Sequence, residues 1–172
     1  MPFPLRGLRV LVAAATVAAT VSLLPAPAQA AAPQLAVIVS DIEAGPATPL
    51  TPWTYLGMQA SPDWHGLLYD ARLELDASEL SGVATVFVPS VGADGVIRPD
   101  TQQCRQQGAV TTCAIGDRAP TSSFPLPFLV VQAVPGAPAG RSGHLRISVT
   151  GTTETGAPIS PAVATPAVTV VR

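Results

Sequence analysis

The sequence predicts an all-β chain, an antiparallel β-sandwich of about seven to nine short strands preceded by a cleaved export segment. Three observations carry this expectation. Apolar and polar residues alternate with period two in several stretches, Pro and Gly punctuate those stretches at short intervals, and no segment sustains a convincing helical period. Beyond residue 30, Pro and Gly make up 28 of 142 residues, about a fifth, which is below the roughly 25–30% typical of disordered segments.

The N-terminus reads as an export signal. Arg6 and Arg9 precede an apolar run from Val10 to Leu24, and "PAPAQA" follows with Ala28 and Ala30 at the small-residue positions of a cleavage site. Residues 1–30 are therefore expected to be a signal peptide. At about fifteen residues the run is short for a membrane span, which takes roughly 20, and no second apolar span follows. Residues 31–172 are expected to form one secreted domain without an integral span, released or held at the cell surface by other molecules.

The strands are expected in order. "QLAVIVS" (34–40) reads as the first and "WTYLGMQA" (53–60) as the second. "LLYDARLEL" places Leu67, Tyr69, Ala71, Leu73 and Leu75 on one face and Leu68, Asp70, Arg72 and Glu74 on the other. "GVATVFV" (82–88) and "AVTVV" (167–171) are apolar on both faces, and "GADG" (92–95) reads as a hairpin tip. Pro125 and Pro127 sit two apart in "SFPLPFLVVQAV", so the N–H groups on one side are missing and the first half belongs on a sheet edge. "HLRISV" turns Leu145, Ile147 and Val149 inward, with His144, Arg146 and Ser148 outward.

The only cysteines, Cys104 and Cys113, lie in "CRQQGAVTTC". A type II′ hairpin centred on Gly108-Ala109 pairs Gln107 with Val110, Gln106 with Thr111, Arg105 with Thr112 and Cys104 with Cys113. That last pair is non-hydrogen-bonded, with Cα atoms about 4.5 Å apart, and fits a disulfide. The spacing is not CxxC, and zinc would need more ligands than two histidines supply. No cofactor is expected.

"LELDASELSGVATV", "CRQQGAVTTCAIGDRAP" and "PLPFLVVQAVPGAPAGRSGHLRISVTG" occur in that order between about Leu67 and Thr150. This stretch, roughly half the chain, resembles the Ig-like repeat domains of secreted and cell-wall-attached actinobacterial and other bacterial surface proteins. The cysteine hairpin followed by Gly116-Asp117 is the most specific element. The resemblance implies an Ig-like sandwich without catalytic residues, acting as a spacer or adhesive module. The absence of Lys and Asn, which use AT-rich codons, agrees with a GC-rich bacterial source. The chain is also similar in size and cysteine hairpin to the apoprotein carriers of enediyne antibiotics. Carriage of a small apolar ligand is therefore the alternative expectation, and hydrolysis a remote one.

Residues 31–172 carry seven Arg against eleven Asp and Glu, a net charge of −4, which offers no electrostatic basis for nucleic-acid binding. In "SPDWHG", Asp63, His65 and Ser61 invite a triad reading, but no nucleophile motif accompanies them, and a Pro-Asp turn is expected instead. Asp41/Glu43 and Glu74/Asp76 lack the loop pattern of a calcium site. The aromatic residues Trp53, Tyr55, Trp64, Tyr69 and Phe87 are read first as core. In the alternative, Trp53, Tyr55 and Trp64 form an exposed interaction patch for a surface or secreted protein or a cell-wall component.

Overall fold

The computed structural model describes residues 35–46, 53–62, 64, 66–118 and 124–172, with Phe124 and Pro125 described in backbone only. The expected signal segment, 1–30, lies outside the described residues, as do Asp63 and His65. The chain begins with β1 (Leu35–Ile38) and β2 (Ile42–Ala44), followed by β3 (Trp53–Thr54) and β4 (Gly57–Ala60). The alternating stretch becomes β5 (Leu68–Asp76), and a 3-10 turn at Ser78–Leu80 carries the chain to β6 (Ala84–Phe87). β7 (Pro89–Val91) and β8 (Ile97–Pro99) flank the "GADG" tip, where Gly95 takes φ +74°. The cysteine hairpin is β9 (Cys104–Gln107) with β10 (Val110–Arg118). Next come β11 (Phe124–Pro125) and β12 (Leu129–Ala133), then β13 (Ser142–His144), β14 (Arg146–Thr152), β15 (Ala162–Ala164) and β16 (Ala167–Val170).

The architecture is all-β, as expected, and forms a β-sandwich. One layer is the five-stranded antiparallel sheet β15-β14-β5-β10-β9. Three-stranded sheets β13-β16-β2, β3-β12-β6 and β1-β4-β11, with the β7-β8 hairpin, account for the rest. Leu73, Leu75, Ile147 and Val149 from the five-stranded sheet share one core with Ala44, Met58, Leu129 and Val168 from the others. All eight are at most 1% exposed, and each large aliphatic among them contributes about 1.5–3 kcal/mol by leaving water.

Three expectations need correction. The described residues form sixteen strands, not about seven to nine, because long apolar stretches break where they change partners. "HLRISV" shows how. Ser142–His144 pairs with β16, the chain bends at Leu145, whose N–H donates to Pro166 O, and Arg146–Thr152 then pairs with β5. One expected strand thus serves two sheets. "SFPLPFLVVQAV" divides likewise: Phe124–Pro125 is the edge partner of β4, as the prolines predicted, whereas Leu129–Ala133 is central between β3 and β6. The pairing is not antiparallel throughout, since β16 runs parallel to β2 through Val168↔Ile42 and Val170↔Ala44.

The third correction concerns the start of β5. Ala71, Leu73 and Leu75 face inward as expected, but Leu68 is fully buried and Leu67 is 39% exposed. The phase slips at Asp70, the one described non-glycine residue with positive φ, at +48°. Opposite it, the β10 register shifts around Gly116, itself at φ +66°. Such a bulge reverses which side chains face the core. Asp117 secures it, its Oδ1 accepting the Asp70 N–H at 3.1 Å. The Gly116-Asp117 pair therefore acts structurally, glycine supplying the backbone angle and aspartate capping the bulge.

Candidate functional site

The cysteine hairpin adopts the expected register, with Gln107↔Val110, Gln106↔Thr111, Arg105↔Thr112 and Cys104↔Cys113. Gly108 takes φ +61° at the first turn position, the angle a type II′ turn requires and glycine supplies without strain. The Cys104–Cys113 disulfide has an S–S distance of 2.04 Å and a Cα–Cα distance of 4.0 Å. Cys113 is buried against the core, whereas Arg105 and Gln107 face outward. The bridge fastens the edge strand of the five-stranded sheet to its neighbour.

The aromatic residues separate into two groups, and reading them all as core is corrected by their exposure. Trp53 is 42% exposed, Tyr55 54% and Phe128 41%. Phe128 lies between them, its ring centroid 5.4 Å from Trp53 and 6.0 Å from Tyr55, both in tilted or edge-on geometry. The local sequence explains the placement. Leu56 and Met58 are fully buried, so alternation turns Trp53 and Tyr55 outward. Pro127 precedes Phe128 in the link between β11 and β12, and Leu126 N–H anchors that link by donating to Leu56 O at 3.0 Å. Beside the rings a groove of about 580 Å³ is lined by Ile38, Asp41, Glu43, Trp53 and Tyr55. Phe128 was missed in the sequence because "SFPLPF" reads as a proline-broken edge, and nothing local reveals that its last residue meets Trp53.

Trp64 does not join this patch. It is only 7% exposed, belongs to the core, and donates from Nε1 to Gly66 O at 3.3 Å. Its backbone N–H donates to Ser61 O at 3.0 Å, the i to i+3 bond of the turn expected at "SPDW". Tyr69 and Phe87 are half-buried.

The polar candidates serve the backbone or one another. Asp41 Oδ1 accepts the Ala167 N–H at 3.0 Å, and Asp76 Oδ1 accepts the Ser78 N–H at 3.0 Å. The Ser78 backbone and hydroxyl hydrogen bonds hold the Asp76 carboxyl below the usual carboxylate range, helped by Arg146. Glu74 lies 3.9 Å from Arg146 Nη1. His144 is exposed, as expected, with Nδ1 3.1 Å from Glu79 Oε2. At the β7-β8 tip, Arg98 pairs with Asp94, lowering the aspartate pKa and raising that of the arginine. No helix among the described residues is long and apolar enough to cross a membrane.

No family model matches the chain, and no curated protein matches it. Among solved structures, AvmM, described as catalysing macrocyclization in alchivemycin A biosynthesis, is similar at a TM-score of 0.34 and 8% identity, over 79% of this chain and 88% of that one. A DUF4466 family protein from Parabacteroides merdae gives a TM-score of 0.33 and 13% identity, over 78% of this chain and 42% of its own. Likenesses this distant carry no argument about function.

Proposed function

We propose that the protein is a secreted, non-catalytic Ig-like module that works by contact at or near a bacterial surface, with Trp53, Tyr55 and Phe128 as its contact patch. The observation that supports this reading is the exposure of Trp53 and Tyr55 together with Phe128, whose ring meets both, where most other large apolar side chains among the described residues lie inside. Aromatic side chains bury large areas at little entropic loss, which makes them effective anchors at interfaces. The partner class is a surface or secreted protein or a cell-wall component. Its location is supported by the disulfide, since such bonds persist in oxidising compartments.

The test is co-sedimentation of the purified protein with isolated bacterial cell walls. Wild type should pellet with the walls, and Trp53→Ala/Phe128→Ala should remain in solution with an unchanged far-UV spectrum. Equal pelleting of the two proteins would remove the patch from the contact. Failure of both to pellet would remove the wall component as partner and leave the protein-partner form of the proposal to chemical cross-linking in culture medium.

A further inference from the structure

We infer that the aromatic patch receives arginine side chains: its partner is a secreted or surface protein presenting an extended segment with two arginines at alternate positions. This deepens the contact reading above and rests on it. The groove beside the rings carries two carboxylates, Asp41 and Glu43, together with the uncharged Ser40 and Thr54. No arginine or histidine lines it among the described residues, and the chain contains no lysine. Rings and carboxylates therefore attract the same kind of group. The face of an aromatic ring is the negative part of its quadrupole, and a cation lying over it gains further from a carboxylate nearby.

Backbone geometry sets the spacing. Exposure alternates over residues 41–44, with Ile42 and Ala44 buried and Asp41 and Glu43 turned outward. Two residues of extended chain span about 6.6 Å, so the carboxylates stand that far apart along one face. Trp53 and Tyr55 are exposed at the same two-residue spacing. An extended partner holds its alternate side chains at this interval too. Asp41 is anchored through Oδ1, which accepts the Ala167 N–H at 3.0 Å, whereas exposed Glu43 makes no hydrogen bond or ion pair among the described residues. The tyrosine is also seated. A Cβ on Gly57 would lie 3.4 Å from Tyr55 Cε1 and 3.6 Å from Ile38 Cβ, so the ring rests over bare backbone beside β1, with Phe128 meeting it edge-on. Arginine suits such a site better than lysine, because its planar guanidinium can stack on a ring while forking onto a carboxylate.

The probe is the peptide acetyl-Gly-Arg-Ser-Arg-Gly-amide, with its citrulline analogue as the neutral isostere, titrated into the purified, nitrogen-15-labelled protein. Amide shifts should saturate as for one site and centre on residues 38–43 and 53–55, and the citrulline peptide should bind at least about tenfold more weakly. Glu43→Gln should weaken the arginine peptide by about three- to fivefold, the loss of one partly exposed ion pair, and Trp53→Ala/Phe128→Ala by at least about tenfold. Glu154→Gln removes an exposed charge outside the groove and should change nothing. Absence of saturation, equal affinity for the two peptides, equal losses in Glu43→Gln and Glu154→Gln, or unchanged affinity in Trp53→Ala/Phe128→Ala would each overturn the arginine assignment. A soluble cell-wall glycan that shifts these amides when the arginine peptide does not would overturn it in favour of a glycan partner. The contact reading beneath it is judged separately, by the loss of wall pelleting in the ring variant, so the two can fail independently.

Discussion

Breaking the Cys104–Cys113 bond should lower stability by an amount set by the loop it closes. The two residues are nine positions apart, and closing a ten-residue loop removes about 2.7 kcal/mol of chain entropy from the unfolded state at 25 °C. Native contacts change little on reduction, because the β9–β10 register is also held by the type II′ turn. For a domain of this size about 3 °C of midpoint accompanies each kcal/mol, so the melting temperature should fall by about 8 °C. The assay is urea and thermal unfolding of the wild type, with and without reductant, beside Cys104→Ala/Cys113→Ala. Reductant should bring the wild type close to the double variant and leave that variant unmoved. Oxidised and reduced wild type agreeing within about 0.5 kcal/mol would refute the reasoning, because the hairpin would then persist in the unfolded state without its bridge.

Four further outcomes follow from the packing and hydrogen bonding. Trp64→Ala should cost about 3–5 kcal/mol by urea denaturation, whereas Trp53→Ala should cost under about 1 kcal/mol, a contrast set by their 7% and 42% exposure. Gly151→Ala should destabilise by about 1–3 kcal/mol, since the added methyl would lie 2.7 Å from Leu68 Cδ1 and 2.9 Å from Tyr69 O. Asp117→Ala should cost about 1 kcal/mol and increase hydrogen exchange at the Asp70 amide, which it caps. The folded-state pKa of Asp76 is depressed, so its contribution is present above the usual 3.8 and lost as pH falls through the folded value. Acid titration of stability should therefore be steeper for wild type than for Asp76→Asn below about pH 4, by a small margin because the carboxylate is exposed.

The hairpin register was legible because a two-residue turn and two cysteines fix it from both ends. The edge character of Pro125 was legible too, since a missing N–H is written in the residue type. The phase of β5 was not. Period-two alternation assumes an unbroken ladder, and the slip depends on Asp70 adopting a left-handed angle that becomes favourable only when Asp117, 47 residues away, accepts its N–H. Nor could alternation show that Ser142–Thr152 changes sheets, because Leu145 faces the core on both sides of the bend. For the candidate patch, alternation placed Trp53 and Tyr55 on one face without saying which face is wet. That choice is made by Leu56 and Met58, whose burial competes with that of the rings.

The parallel ladder between Ile42–Ala44 and Val168–Val170 has a consequence in time as well as in space. A ribosome releases the first of these strands long before the second, and more than 120 residues must be made before they can meet. Until then Ile42 and Ala44 lack their ladder partner, and the sheet containing β13 lacks its middle strand, β16. The cysteine hairpin can form within microseconds of its own synthesis, but that sheet must wait for the C-terminal residues and the loop-closure entropy they bring. A nascent chain is therefore kept from its finished fold by its own topology, and stopping synthesis before Val168 should leave a protease-sensitive intermediate with its hairpin already in place.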